Sequence, residues 1–504
     1  MNKMKITLLI IIISQIGAFH LGVTAQTPLN RGNLSYRIDT YLSESEDNGF
    51  SGTVLVASQD EIILSRGYGW SDRKNKIPNT TSTIFNIGSI SKQFTAAGIL
   101  KLMEQGKLQT SDRLGEYFEA APPDKKDITI HQLLTHTSGI SARTGGHRYD
   151  AADKKQFLTE CFKSKLQSEP GSRHEYANAN YILLASILEK VSGQSYDDFL
   201  QNSIWRPSHM QHTGYNSISS KNSRFAHGYY YQVTDGIWTD WGTTKDHLPD
   251  NDKHWYSVGK GDILSSAEDL YKWHLSLNDN KVLTATTRDI QEAPYVAENL
   301  ESTSHYAYGW AIFRSSRGTK IVAHDGSNGI YYANLIRFVD EDVVIITLSN
   351  LIMGYDSENV AWEISNMVFD STYIAKPVAR YSYEIVHEFM NANKPSDVMM
   401  LPGVLKRELG HEFDDHSVLN RIGYRNLRNE LEPGWALELL ILNAKLFPKK
   451  DGNIWDSLGE AYFFYGLLEE SQKSFETALE LKSENCHWCE NSLQRLKEIS
   501  QKQR

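Results

Sequence analysis

A chain of 504 residues exceeds what one small core can organise and points to two or three domains, and a hydrophobic content of 40% supplies enough apolar side chains for a large interior. The formal net charge is -10, with no basic patch set against it. That balance excludes nucleic acid and anionic membrane as natural partners and leaves a small-molecule or peptide substrate as the expectation.

In chain order, Lys3 and Lys5 precede an apolar run from Ile6 to Ile13, and small residues follow at Val23 and Ala25. This is the pattern of a secretory signal cleaved after Ala25. Ser14 and Gln15 cut the run short of the roughly 20 residues that a membrane span needs, and no cysteine follows to carry a lipid. The mature protein is therefore expected to be secreted or periplasmic, with no stable membrane span.

Residues 52–68, "GTVLVASQDEIILSRGY", read as two strands around a polar turn. Strand-like runs then disappear, and helical periods such as "TAAGILKLMEQG" and "YILLASILEKVSG" take their place, each closed by a glycine. Strands return at "AYGWAIFRS", "KIVAHDG", "IYYANLIRFVD" and "DVVIITLSN". A hairpin at one end and several strands at the other most simply share one antiparallel sheet. The expected fold is α+β, an antiparallel sheet flanked by helices with an inserted helical subdomain, followed by an all-α C-terminal tail.

The expected divisions are a signal at 1–25, a catalytic domain at 26–372, a linker and connecting helix at 373–400 and a helical domain at 401–504. In that last segment Trp455, Leu458, Gly459 and Tyr462, with Phe475 and Ala478, follow the pattern of a tetratricopeptide repeat. Ser471 and Ser483 stand where alanine and proline are usual, and Ala436, Leu440 and Pro448 form a weaker copy upstream. So short an array offers little groove of its own, which leaves docking on the catalytic body or binding of a protein partner. Cys161 reads as a core residue. Cys486 and Cys489 read as two positions of a terminal helix, with a local disulfide as the alternative, and no second ligand pair completes a zinc site.

"FNIGSISKQFTAAGIL" places Ser89 and Lys92 one turn apart at the start of an apolar helix. A serine there meets the positive end of the helix dipole, and a desolvated lysine on the same face loses its proton easily enough to act as a base. The same spacing recurs at Ser71 and Lys74, in a charged turn, and at Ser257 and Lys260, where no apolar helix follows. Tyr176 and Asn178 lie in a loop just ahead of a second helix. His324, Asp325 and Gly326 end a strand, where glycine leaves room for a substrate against the backbone; His212 and Gly214 repeat the pattern without a flanking strand.

In this order and setting Ser89-x-x-Lys92, Tyr176-x-Asn178 and His324-x-Gly326 resemble the serine beta-lactamase and penicillin-recognising enzyme family, on its class C and D-alanyl-D-alanine carboxypeptidase side. "ITIHQLLTHTSGI", "GDILSSAEDLYKW" and "VVIITLSN" extend the resemblance over about residues 30–352. It implies a serine hydrolase: Ser89 attacks a carbonyl after losing its proton to Lys92 and Tyr176, Tyr176 protonates the leaving group, and Asn178 orients Lys92 and the substrate. The N–H groups of Ser89 and Ser327 form the oxyanion hole, and neither metal nor organic cofactor is required. The departure is Asp325, which stands where strong beta-lactam binders carry a threonine hydroxyl beside a cation that together hold the substrate carboxylate. A carboxylate there repels an anionic substrate, so weak beta-lactamase activity is expected, with a lean toward neutral esters or amine-bearing D-amino acid peptides. The alternative is a non-catalytic penicillin- or peptidoglycan-fragment-binding protein whose helical tail recruits a partner.

Overall fold

The computed structural model describes residues 32–502 apart from 216, 217, 219–223, 250–252, 302, 352–355, 430, 484 and 485. The signal-like segment lies outside the described residues. The main sheet has eight antiparallel strands: β1 (Gly52–Ser58), β2 (Glu61–Tyr68), β3 (Val296–Ala297), β4 (Ser304–Tyr306), β5 (Ala311–Arg314), β6 (Lys320–Ser327), β7 (Tyr332–Phe338) and β8 (Val343–Ser349). Their order is β2-β1-β8-β7-β6-β5-β4-β3. The early hairpin is thus stitched to the last strand, with Gly52 opposite Ser349.

Every residue of β7 and β8 is buried, because the sheet is covered on both faces. Val343 and Ile345 of β8 join a core with helices α1 (Gly32–Asp47) and α5 (Asp356–Phe369), while Val344, Ile346 and Leu348 face the opposite core. That second core holds α2 (Ser91–Glu104), α3 (Asn178–Ser192) and α4 (Ala267–Asn278). From Ser91 to Leu100 every side chain of α2 is buried, as its near-continuous apolar pattern demands. Gly98 lets α3 approach, since a Cβ there would stand 2.6 Å from Leu188. Gly193 ends α3 in the left-handed conformation.

Two readings need correction. Strands do not vanish between β2 and β3: Gly228–Gln232 and Ile237–Gly242 form a hairpin, turned at Asp235 and Gly236. The Asp-Gly pair was the overlooked signal. Cys486 and Cys489 are joined in a disulfide, and only Cys489 belongs to the terminal helix. Cys161 is buried in the core.

The tail is helical throughout: α6 (Ser382–Ala392), α7 (Leu401–Leu409), α8 (His416–Asn429), α9 (Pro433–Leu446), α10 (Gly452–Phe464), α11 (Leu468–Glu480) and α12 (Cys489–Lys502). It docks on the catalytic body. Tyr231 of the hairpin is buried with Tyr383, Val386 and Phe389 of α6, and Trp238 Nε1 donates to Glu384 Oε1 at 3.2 Å.

Candidate active site

The turn that carries Ser89 is built by backbone contact. Gly88–Ile90 form a short 3-10 turn that runs into α2, with Gly88 at φ +50°. A Cβ on Gly88 would lie 2.4 Å from Ser327 N, and one on Gly326 would lie 2.1 Å from Ile87 O and 2.8 Å from Ser89 N. Both positions must therefore be glycine, and the turn rests directly on β6. This sets the backbone at Ser89 against that at Ser327, both bordering one cleft. Asn86 holds the turn from below, accepting from Gly88 N at 2.9 Å and donating to Asp262 Oδ1 at 2.7 Å.

Lys92 has 0% exposure, whereas Ser89 is partly open. Lys92 Nζ lies 3.0 Å from Ser89 Oγ, 2.9 Å from Asn178 Oδ1 and 2.6 Å from the carbonyl oxygen of Lys260. Burial, reinforced by the cations of Lys260 and Arg148, holds its pKa well below the ordinary lysine value, with Asp325 and Asp262 pulling the other way. A neutral amine has two N–H groups. The two carbonyl oxygens take them, which turns the lone pair toward the Ser89 hydroxyl.

Tyr176 stands just ahead of α3, as its loop position predicts, and shares a hydrogen bond with Ser89. Burial raises its pKa, the Ser89 bond offsets this in part, and Asp325 and Glu298 add to the rise, so the group is a phenol at neutral pH. Its ring packs at a tilt against that of His136, with centroids 4.2 Å apart. His136 adopts φ +55°, and its Nδ1 accepts from Ala177 N at 3.2 Å, which puts the ring proton on Nε2. Burial and the nearby Lys92 keep this imidazole neutral.

His324 is buried and engaged at both nitrogens. Nδ1 donates to the Asp325 carbonyl at 2.6 Å, and Nε2 therefore accepts from Tyr306 Oη at 3.1 Å. Burial lowers its pKa against the pull of Asp325, so it presents no fixed cation. Asp325 itself is exposed. Ser89, Tyr176, His324, Asp325 and Ser327 line one cleft of about 340 Å³, together with Glu298. Lys92, Asn178 and Gly326 lie directly behind it.

Sequence reasoning missed Glu298, His136 and the Lys260 carbonyl. "LLTHTSGI" carried His136, but a backbone carbonyl leaves no mark on residue type. The competing pairs are structural: the Ser71 hydroxyl donates to the Ile77 and Pro78 carbonyls, and that of Ser257 donates to Arg148 O. His212 binds Asp269 through its backbone, outside the cleft. A larger cavity of about 900 Å³, lined by Lys154, Glu189 and Trp255, contains no member of the constellation. Among the described residues no three His, Cys, Asp or Glu side chains are grouped to hold a metal ion, and no helix is long and apolar enough to cross a membrane.

Comparison with known proteins agrees with this geometry. The chain is 33% identical over 276 residues to the putative penicillin-binding protein PbpX of Bacillus subtilis, covering 55% of this chain and 65% of that protein. Penicillin-binding protein 4* of the same organism is 31% identical over 322 residues, 60% of this chain and 69% of its own length. The crystal structure of a penicillin-binding protein from Bacillus halodurans superposes with a TM-score of 0.57 at 26% identity, covering 65% of this chain and 99% of that one. The beta-lactamase family model matches residues 39–362, and with more than half of its length inside that match the chain belongs to the beta-lactamase family.

Proposed function

We propose that the protein is an exported hydrolase that opens ester or amide carbonyls through an acyl-enzyme on Ser89 and acts only weakly on beta-lactams. The observation that carries the reading is the set of three contacts at Lys92 Nζ, which leaves a neutral amine one lone pair directed at Ser89 Oγ. Lys92 takes the hydroxyl proton as Oγ bonds to the carbonyl carbon, and the oxyanion is met by the Ser89 and Ser327 amides. The carbon–heteroatom bond then breaks, and the leaving group receives a proton from Tyr176, which Lys92 resupplies. Water repeats the sequence on the ester, adding its hydroxyl to the acyl carbon and returning its proton to Ser89 Oγ. Export is supported by the leading segment and by the Cys486–Cys489 disulfide, a bond characteristic of oxidising compartments.

The test is covalent labelling with a fluorophosphonate or a fluorescent penicillin, read by mass spectrometry. The adduct is expected on Ser89 and is lost in Ser89→Ala; labelling that persists in that variant overturns the mechanism. Purified protein is further expected to hydrolyse p-nitrophenyl butyrate faster than nitrocefin.

A further inference from the structure

The cleft has a charge layout that the proposed chemistry does not use. Positive charge lies behind the nucleophile, where Arg148 is paired at 3.3 Å with fully buried Asp262. Lys260, pushed down to about 8 by burial, also adjoins that pair. The groups that face a substrate are of the opposite kind. His324 is neutral and held at both nitrogens. Asp325 and Glu298 line the same cleft as Ser89.

Glu298 is placed, not loose. It follows β3, its N–H donates to Ser304 O at 3.0 Å, and the Ser304 hydroxyl donates to Oε2. Its carboxyl is raised above the ordinary range by burial, and the charge of Asp325 acts in the same direction. Among the described residues neither carboxylate makes an ion pair with a lysine or arginine. Two carboxylates, one exposed and one half-buried, that repel each other gain from a cation placed between them, and a substrate carboxylate would add a third like charge. Acidic residues alone would define no site; here the nucleophile defines it, and they set which charge it admits.

On the reading that Ser89 is the nucleophile, we propose that Glu298 and Asp325 bind a protonated amine of the substrate, so that the preferred substrates are amino-acyl amides or esters with a free amine near the scissile carbonyl. A cleft of about 340 Å³ suits a short acyl group.

The experiment compares the p-nitroanilides of β-alanine, propionate and succinate, which place a cation, nothing or an anion at matched reach. The β-alanyl compound is expected to exceed the propionyl one in kcat/KM, and Glu298→Gln and Asp325→Asn are each expected to cut that ratio about tenfold. Taking the ratio cancels any general loss of activity in the variants. A wild-type ratio at or below one, or a ratio unchanged in both variants, overturns the proposal. Protection of Ser89 from fluorophosphonate by β-alaninamide but not by propionamide is a second readout that needs no turnover, and equal protection also overturns it. Labelling that survives Ser89→Ala sinks the underlying mechanism instead, which separates the two failures.

Discussion

Lys92 is where burial becomes chemistry, because an amine with no exposure, set near the cations of Lys260 and Arg148, holds its third proton weakly. Protonation as the pH falls through its depressed pKa removes the base, so kcat/KM for p-nitrophenyl butyrate is expected to fall on the acid side. Lys92→Met is expected to lower kcat/KM by about 10² to 10⁴ and to abolish that acid limb. An unchanged limb in the variant would assign it to another group. The grouping of Ser89, Lys92, Tyr176 and Asn178 was legible in the sequence because they stand at fixed spacing at, or just ahead of, a helix start. Glu298 was not, since it follows a two-residue strand in a stretch without periodicity and reaches the cleft only through sheet pairing. The neutrality of His324 was equally hidden, because it depends on Tyr306 and on the residue's own local backbone.

At the scale of elements, the decisive contact is the nucleophile turn against β6. A methyl group on Gly88 would meet Ser327 N at 2.4 Å and would also be held at φ +50°, a region that costs an L-residue about 1–2 kcal/mol. Gly88→Ala is therefore expected to separate the two oxyanion amides and reduce kcat by about 10² or more. Gly193→Ala is the control: its φ is +69°, nothing lies within 4 Å of the added carbon, and it caps α3 far from the cleft. It carries the same backbone strain and is expected to lower the melting temperature with kcat retained. Equal kcat losses in the two would show that strain, not the clash, governs the turn. Helices α2 and α3 and strands β6 to β8 announced themselves through apolar runs. The Gly228–Gly242 hairpin did not, since three consecutive tyrosines mask the alternation that a half-buried strand displays.

For the whole molecule, the all-α character of the C-terminal segment marked the tail, but its docking could not be read because its seat is that same hairpin. Within the tail, Gly459 of α10 lies against the Phe475 ring, and the buried Ser471 hydroxyl donates to Gly459 O at 2.9 Å, which ties α11 to α10. The last helix is fastened by a buried carboxyl: Ser492 Oγ of α12 donates to Asp456 Oδ1 of α10 at 2.5 Å. Burial raises Asp456 to about 6, Glu460 adds to the rise, and Ser492, Asn491 and His487 oppose it. A carboxyl whose folded pKa exceeds its unfolded value near 3.8 binds its proton more tightly in the native state. Its contribution is thus complete below the unfolded value and is lost as the pH rises through about 6, a change of about 3 kcal/mol. Hydrogen exchange of α10 and α12 amides, corrected for intrinsic rates, is expected to show stronger protection at pH 5 than at pH 7.5. Asp456→Asn keeps the acceptor for Ser492 and removes the titration, so the difference between the two pH values should shrink by about 1.4 kcal/mol, the part of the change that falls between pH 5 and pH 7.5. A difference that Asp456→Asn leaves intact would show that Asp456 does not carry the pH dependence.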